Sequence, residues 1–180
     1  ADGAEAPDLN QDTKGTTITF WHSMGGVNGE AMDYLVNKFN EENTDGITVE
    51  AVYQGEYDDT INKLKSAQIG NMGADLVQIY DIGTRFMIDS GWVIPMQELI
   101  NADGYDISQI EPNIAAYYTV NNELYSMPFN SSTPILYYNK DMFEKAGITE
   151  VPTSLEGILA IGDDLKTKGG AGEPLALSIY

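Results

Sequence analysis

Few residues in this chain could carry out catalysis. Histidine occurs once, at His22, and cysteine does not occur. That removes thiol nucleophiles, thiolate metal sites and disulfides together, and leaves no second imidazole for a multi-histidine zinc site. Trp21-His22-Ser23-Met24-Gly25 comes near a nucleophile elbow, but tryptophan occupies the first glycine position. His22 is also poorly placed to act as base for its own sequence neighbour. Met24-Gly25-Gly26-Val27-Asn28-Gly29 fails the G-x-G-x-x-G spacing, and no G-x-x-x-x-G-K-[ST] phosphate loop occurs. Asn101, Asp103, Asp106, Ser108 and Glu111 hint at calcium. With Gly104 in the sixth loop position, however, the twelfth is Ile110 where a bidentate glutamate is needed, so the segment reads as a solvated acidic loop. No metal or cofactor is implied. The carboxylates Glu56 and Asp81 could still act as a pair, which is the chemistry of glycoside hydrolysis.

Composition narrows the partners. The 180 residues carry 28 acids against 9 bases, a formal charge of −19. Such a surface repels nucleic acid and anionic headgroups. No apolar run approaches the ~20 residues that span a bilayer as a helix. The first fifteen residues hold four acids, one lysine and no large apolar residue except Leu9, so residues 1–15 are expected to form a disordered stalk or linker.

The elements that would position the polar residues alternate from there on. Thr16–Trp21 is β-branched and aromatic, a strand. Met32, Leu35, Val36 and Phe39 recur at helical spacing within 28–43. Residues 47–53 form a second strand, 57–69 a second helix, 75–80 a third strand, and 84–90 a helix stopped by Gly91. This is the pattern of βαβ units on a parallel sheet. Helical pieces follow near 96–100 and 112–118, and strands are expected at 124–129, 135–139 and 175–180. Between them lie helices at 140–146 and from Thr153 or Ser154 to about 168. The last strand-like run stops without a closing turn, as a fragment of a longer protein would.

Ligands of open α/β sheets bind beyond the carboxyl ends of the strands. Those ends carry Trp21-His22-Ser23, then Gln54-Gly55-Glu56-Tyr57, Tyr80-Asp81, and Asn130-Ser131-Ser132-Thr133. The set joins aromatic faces to hydroxyls, amides and carboxylates, which is how polyol and sugar sites are built. Each residue also has a plainer use. Trp21 and Tyr80 suit a core, His22 a structural hydrogen bond, and Ser131 and Ser132 a turn ahead of Pro134.

Two stretches resemble a known family. Ile18-Thr19-Phe20-Trp21-His22-Ser23-Met24, followed by a helix ending Phe39-Asn40-Glu41-Glu42-Asn43, is similar to the opening of the solute-binding proteins of ABC sugar importers. Pro128-Phe129-Asn130-Ser131-Ser132-Thr133-Pro134-Ile135-Leu136-Tyr137-Tyr138-Asn139-Lys140-Asp141-Met142-Phe143 resembles the glycerol-3-phosphate-binding subgroup almost throughout. Tyr53–Tyr57 and Tyr80–Thr84 align as well. The resemblance implies an α/β, periplasmic-binding-protein-like (class II) fold of two lobes. Residues 16–130 would form the N-terminal lobe, and 131–180 the hinge crossover and the beginning of the second. It implies a non-catalytic carrier, monomeric when full length, that takes a carbohydrate or polyol to an ABC permease. Tyr57, Asp81 and Ser132 match the subgroup's contacts to the polyol, with Trp21, His22, Ser23, Glu56, Tyr80 and Ser131 as neighbouring candidates. Two departures stand out. Asp81 replaces a glutamate and is one methylene shorter, and Thr153-Ser154-Leu155 replaces a Thr-Trp. An extracytoplasmic lipoprotein, anchored to the outer face of the cell membrane through a cysteine upstream of Ala1, suits a cysteine-free acidic chain. The alternatives are a glycoside hydrolase working through Asp81 and Glu56, or a surface adhesion protein using the stalk as a spacer.

Overall fold

A computed structural model describes residues 13–70 and 72–176. The chain divides into a unit ending at Ser131 and a second beginning at Ser132.

The first unit is built on a parallel sheet of order β2-β1-β3. β1 (Thr17–His22) pairs with β2 (Thr48–Tyr53) over its whole length and with β3 (Leu76–Val77) at Phe20 and Trp21. Single ladder bonds extend the pairing, since Gln54 N–H donates to the His22 carbonyl at 2.9 Å and Gln78 N–H to the Trp21 carbonyl at 2.8 Å. β3 is shorter than the expected 75–80. The main-chain bond from Asp75 to Thr19 and the one from Gln78 bracket its contact with β1, and beyond Gln78 the chain turns away. The crossovers are α1 (Gly26–Glu42) and α2 (Tyr57–Ile69). Strand alternation puts Phe20 and His22 on one face of β1 and Trp21 on the other. Phe20 and Met24 pack on Met32 of α1, which is 2% exposed, with Val36, Val49 and Tyr57 around them. A buried side chain of that size stabilises by roughly 1.5–3 kcal/mol.

Asn40 fastens α1 to the outer edge of β2, accepting from the Val49 N–H at 2.7 Å and donating to its carbonyl at 2.9 Å. A 3-10 turn, Asp81–Gly83, leads into α3 (Thr84–Ser90), which Gly91 closes in the left-handed conformation at φ 66°. α4 (Met96–Asp103), α5 (Pro112–Tyr117) and a hairpin of β4 (Thr119–Val120) with β5 (Glu123–Leu124) complete the unit. Leu124 is fully buried there. The second unit contains α6 (Lys140–Ala146), capped by the Asn139 side chain, and α7 (Leu155–Thr167), capped by Ser154. Phe143, Ala146 and Leu165 pack between those two helices.

Three expectations change. Thr13–Gly15 are not part of a loose stalk, because the Thr13 hydroxyl donates to the Asp45 carbonyl and Gly15 N–H to that of Gly46, both at 2.9 Å. Residues 1–12 of that expected segment lie outside the described residues. Of the strand foreseen at 124–129 only Leu124 forms, as the second residue of β5, and none forms at 135–139. An extended segment is held only by a neighbour's ladder, and Pro128 and Pro134 have no N–H to offer one. Ile135 and Tyr137 are accordingly 70% and 88% exposed. The strand expected at 175–180 falls mostly outside the described residues.

Candidate ligand-binding site

The carboxyl ends of the three parallel strands deliver their residues to one edge of the first unit, and a buried polar cluster ties them together. Ser23 follows β1, is 7% exposed, and shares a 2.7 Å hydrogen bond with the hydroxyl of Thr60 on α2, which is wholly buried. Ser23 N–H donates to Oε1 of Gln78, the residue after β3, at 2.9 Å. Gln78 Nε2 donates to Asn130 Oδ1 at 2.9 Å, and Asn130 Nδ2 reaches the Tyr57 hydroxyl at 3.5 Å. Every buried side-chain polar atom among the described residues has a partner, as buried polar groups require.

His22 is 3% exposed. Burial pushes its pKa below the ordinary 6.5, against the weaker opposing pull of Asp33. Met24 N–H points at Nδ1 from 3.3 Å, a contact open only to the unprotonated nitrogen. This histidine is a neutral structural group packed beside Phe20 and Tyr53.

Tyr57 opens α2. Its ring leans on the Phe20 core and stacks parallel to Tyr80, centroids 5.4 Å apart at 1°. Tyr80 spends its proton on Asp58 at 2.6 Å. Tyr117 of α5 donates to Asp81 Oδ2 at 2.7 Å and stands edge-on to Tyr118. The hydrogen bond to Asp58 raises the Tyr80 pKa, that to Asp81 raises the Tyr117 pKa, and burial followed by the charge of Asp81 raises the Tyr118 pKa. All three phenols therefore stay protonated. The nearby Ser131 side chain works against the rise at Tyr118.

Glycine geometry keeps this edge compact. A Cβ on Gly83 would lie 2.6 Å from Ile79 Cγ2 and 2.8 Å from Ile61 Cδ1, so only glycine lets the Asp81 turn sit down on α2.

The first unit thus brings together His22, Ser23, Tyr57, Tyr80, Asp81 and Ser131. Glu56 lies at the same edge but is engaged as a helix cap. Its carboxylate accepts from Asp59 N–H, while Asp59 Oδ2 accepts from Glu56 N–H at 3.1 Å. Trp21 is half-buried on the opposite face of β1. Ser132 belongs to the second unit, within its exposed unpaired segment. In the acidic loop, Asp106 accepts from Ser108 N–H at 2.8 Å and from its hydroxyl at 3.0 Å. These bonds hold its carboxyl below the usual range.

Sequence reasoning passed over Thr60, Gln78, Asp58 and Tyr117. Gln78 carried one signal, an amide placed where the third strand's apolar run should continue. Tyr117 carried none, since 36 residues separate it from Asp81. Two open depressions lie elsewhere, one of roughly 480 Å³ on the flank of α2 by Asn62, Lys63, Ser66 and Met72, another of roughly 370 Å³ around Phe143 and Ile148. Neither includes a strand-end residue. The strand-end cluster forms an open rim.

A doubly crossed parallel sheet with polar groups gathered at its carboxyl edge defines an α/β fold of the periplasmic binding-protein class, and comparison with known proteins agrees. Residues 25–178 match the family described as bacterial extracellular solute-binding protein, and the chain belongs to that family. It is 43% identical over 138 residues, 74% of its length, to the sn-glycerol-3-phosphate-binding periplasmic protein UgpB of Salmonella typhimurium. To UgpB of Escherichia coli K12 it is 37% identical over 161 residues, 86% of its length. It spans 31% and 36% of those two proteins. Among solved structures, UgpB of Mycobacterium tuberculosis in complex with glycerophosphocholine superposes with a TM-score of 0.72 at 28% identity, over 83% of this chain and 39% of that one. The sugar-binding protein MalE of Xanthomonas citri shares the fold, with a TM-score of 0.70 at 22% identity, over 85% and 38%.

Proposed function

We propose that this chain supplies the first-lobe side of the ligand site in the solute-binding component of an ABC importer. The ligand is a polyol of the glycerol-phosphate type or a sugar, captured outside the cytoplasm and passed to a membrane permease without chemical change. The observation that carries the reading is Asp81. Its carboxylate is exposed at the end of the parallel sheet and, among the described residues, tied at one oxygen, beside the stacked Tyr57 and Tyr80. It keeps acceptor capacity for ligand hydroxyls next to apolar ring faces, the combination a polyol requires. The names of the UgpB relatives support the ligand class. Tyr57, Asp81 and Ser132 are the proposed contacts, with Ser131 in support. Uptake works by differential affinity, with ligand binding the closed form better and shifting the population toward it.

The test uses the full-length protein and sn-glycerol 3-phosphate in a calorimeter. Asp81→Ala should weaken binding by about 1–3 kcal/mol, and unchanged binding removes Asp81 from the site. Recovery of the probe intact after incubation is the expected result for a carrier, and turnover would make the protein an enzyme. Attachment to the outer face of the cell membrane through an acylated cysteine upstream of Ala1 belongs to the same proposal. Labelling of the natural protein with a radioactive fatty acid tests it.

A further inference from the structure

A main-chain N–H can only donate, and this sets the direction of the hydrogen-bond relay behind Tyr57. Ser23 N–H gives to Gln78 Oε1, so the Gln78 amide must turn its Nε2 to Asn130 Oδ1, and Asn130 must then turn Nδ2 to the Tyr57 oxygen. Gln78 is 8% exposed and further held by its own N–H on the Trp21 carbonyl. Turning Gln78 over would set its Nε2 against the Ser23 N–H at a buried position, and turning Asn130 over would set its Nδ2 against the Gln78 Nε2 at a part-buried one. The Tyr57 oxygen therefore accepts from the protein, its proton points away from Asn130, and no other group among the described residues takes that proton. Asp81 is the opposite case. Its carboxylate only accepts, and among the described residues its one side-chain partner is Tyr117, at Oδ2.

We propose that Gln78 is a specificity-determining positioning residue. Acting through Asn130, it commits Tyr57 to donate to the ligand while Asp81 accepts from it. The site then takes a ligand that presents an acceptor oxygen to Tyr57 and a hydroxyl proton to Asp81, and discriminates against one that presents a donor-only ammonium to Tyr57. The inference rests on the reading of Tyr57 and Asp81 as ligand contacts.

Neutron diffraction from the deuterium-exchanged, ligand-free full-length protein reads the direction without any ligand. The Tyr57 O–D should point away from Asn130, and an O–D aimed at Asn130 overturns the proposal. The binding arm uses calorimetry with sn-glycerol 3-phosphate. Asn130→Asp, at an exposed position, leaves a carboxylate that accepts from both Gln78 and Tyr57 and draws the proton inward. Affinity should fall roughly ten- to a hundredfold. Tyr57→Phe should cost a similar factor in the parent and nothing further in the Asn130→Asp background. Gln78→Glu should repeat this pattern if it folds, and Asn130→Asp decides the matter if it does not. Independent, multiplicative losses would overturn the relay. A parent protein that fails to bind the probe sinks the functional reading, while the neutron map still upholds or overturns the direction.

Discussion

The lone histidine shows how burial converts a reactive side chain into a structural one. His22 has its folded pKa below the ordinary value of 6.5, burial being the main cause. As pH falls, the unfolded chain binds that proton first. The stabilisation is full above the unfolded pKa and is lost progressively as pH drops toward the folded one. The thermal midpoint of the parent minus that of His22→Gln should therefore shrink between about pH 7 and pH 5, whereas a constant gap would show that His22 titrates normally. The same residue marks the reach of sequence reasoning. Its adjacency to Ser23 was enough to discard it as a catalytic base. Its place on the buried face of β1 became plain only with Phe20, Met24 and Tyr53 packed around it. Tyr117 was not readable at all, because nothing local in α5 points to a carboxylate 36 positions earlier.

At the level of elements, the helices were the readable part. The 84–90 helix and its Gly91 stop, the 57–69 helix and the 140–146 helix all form at the expected positions, because their periodicity and caps lie within each segment. The segments 124–129 and 135–139 are apolar and aromatic like β1, through Tyr125 and Phe129 in one and Ile135, Tyr137 and Tyr138 in the other. They stay largely unpaired because a strand's stability resides in a partner that local sequence does not specify. The outer edge of β2 illustrates how such exposure is managed. Asn40 occupies both the N–H and the carbonyl of Val49, blunting an edge that could otherwise recruit another chain. Asn40→Ala should lower stability by about 1–2 kcal/mol, two modest side-chain bonds, read as a shift of the urea midpoint with unchanged slope. No shift would mean that water replaces the asparagine at no cost.

For the molecule as a whole, charge is the dominant feature. The four ion pairs among the described residues, including Lys38–Glu42 and Lys168–Asp164, are exposed and contribute at most about 1 kcal/mol each. They leave a −19 chain in net self-repulsion. Raising ionic strength from about 0.01 M to 0.15 M shortens the screening length from roughly 30 Å to 8 Å. The thermal midpoint should rise with added sodium chloride, and a flat or falling midpoint would mean that attractive pairs outweigh the excess of acids. The order β2-β1-β3 has a consequence of another kind. Of these three strands the earliest in the sequence lies innermost, and it acquires its second flank only after residue 77 has been made. Until then the sheet cannot be completed, so a nascent chain emerging from the ribosome lacks its finished sheet through the first two crossovers.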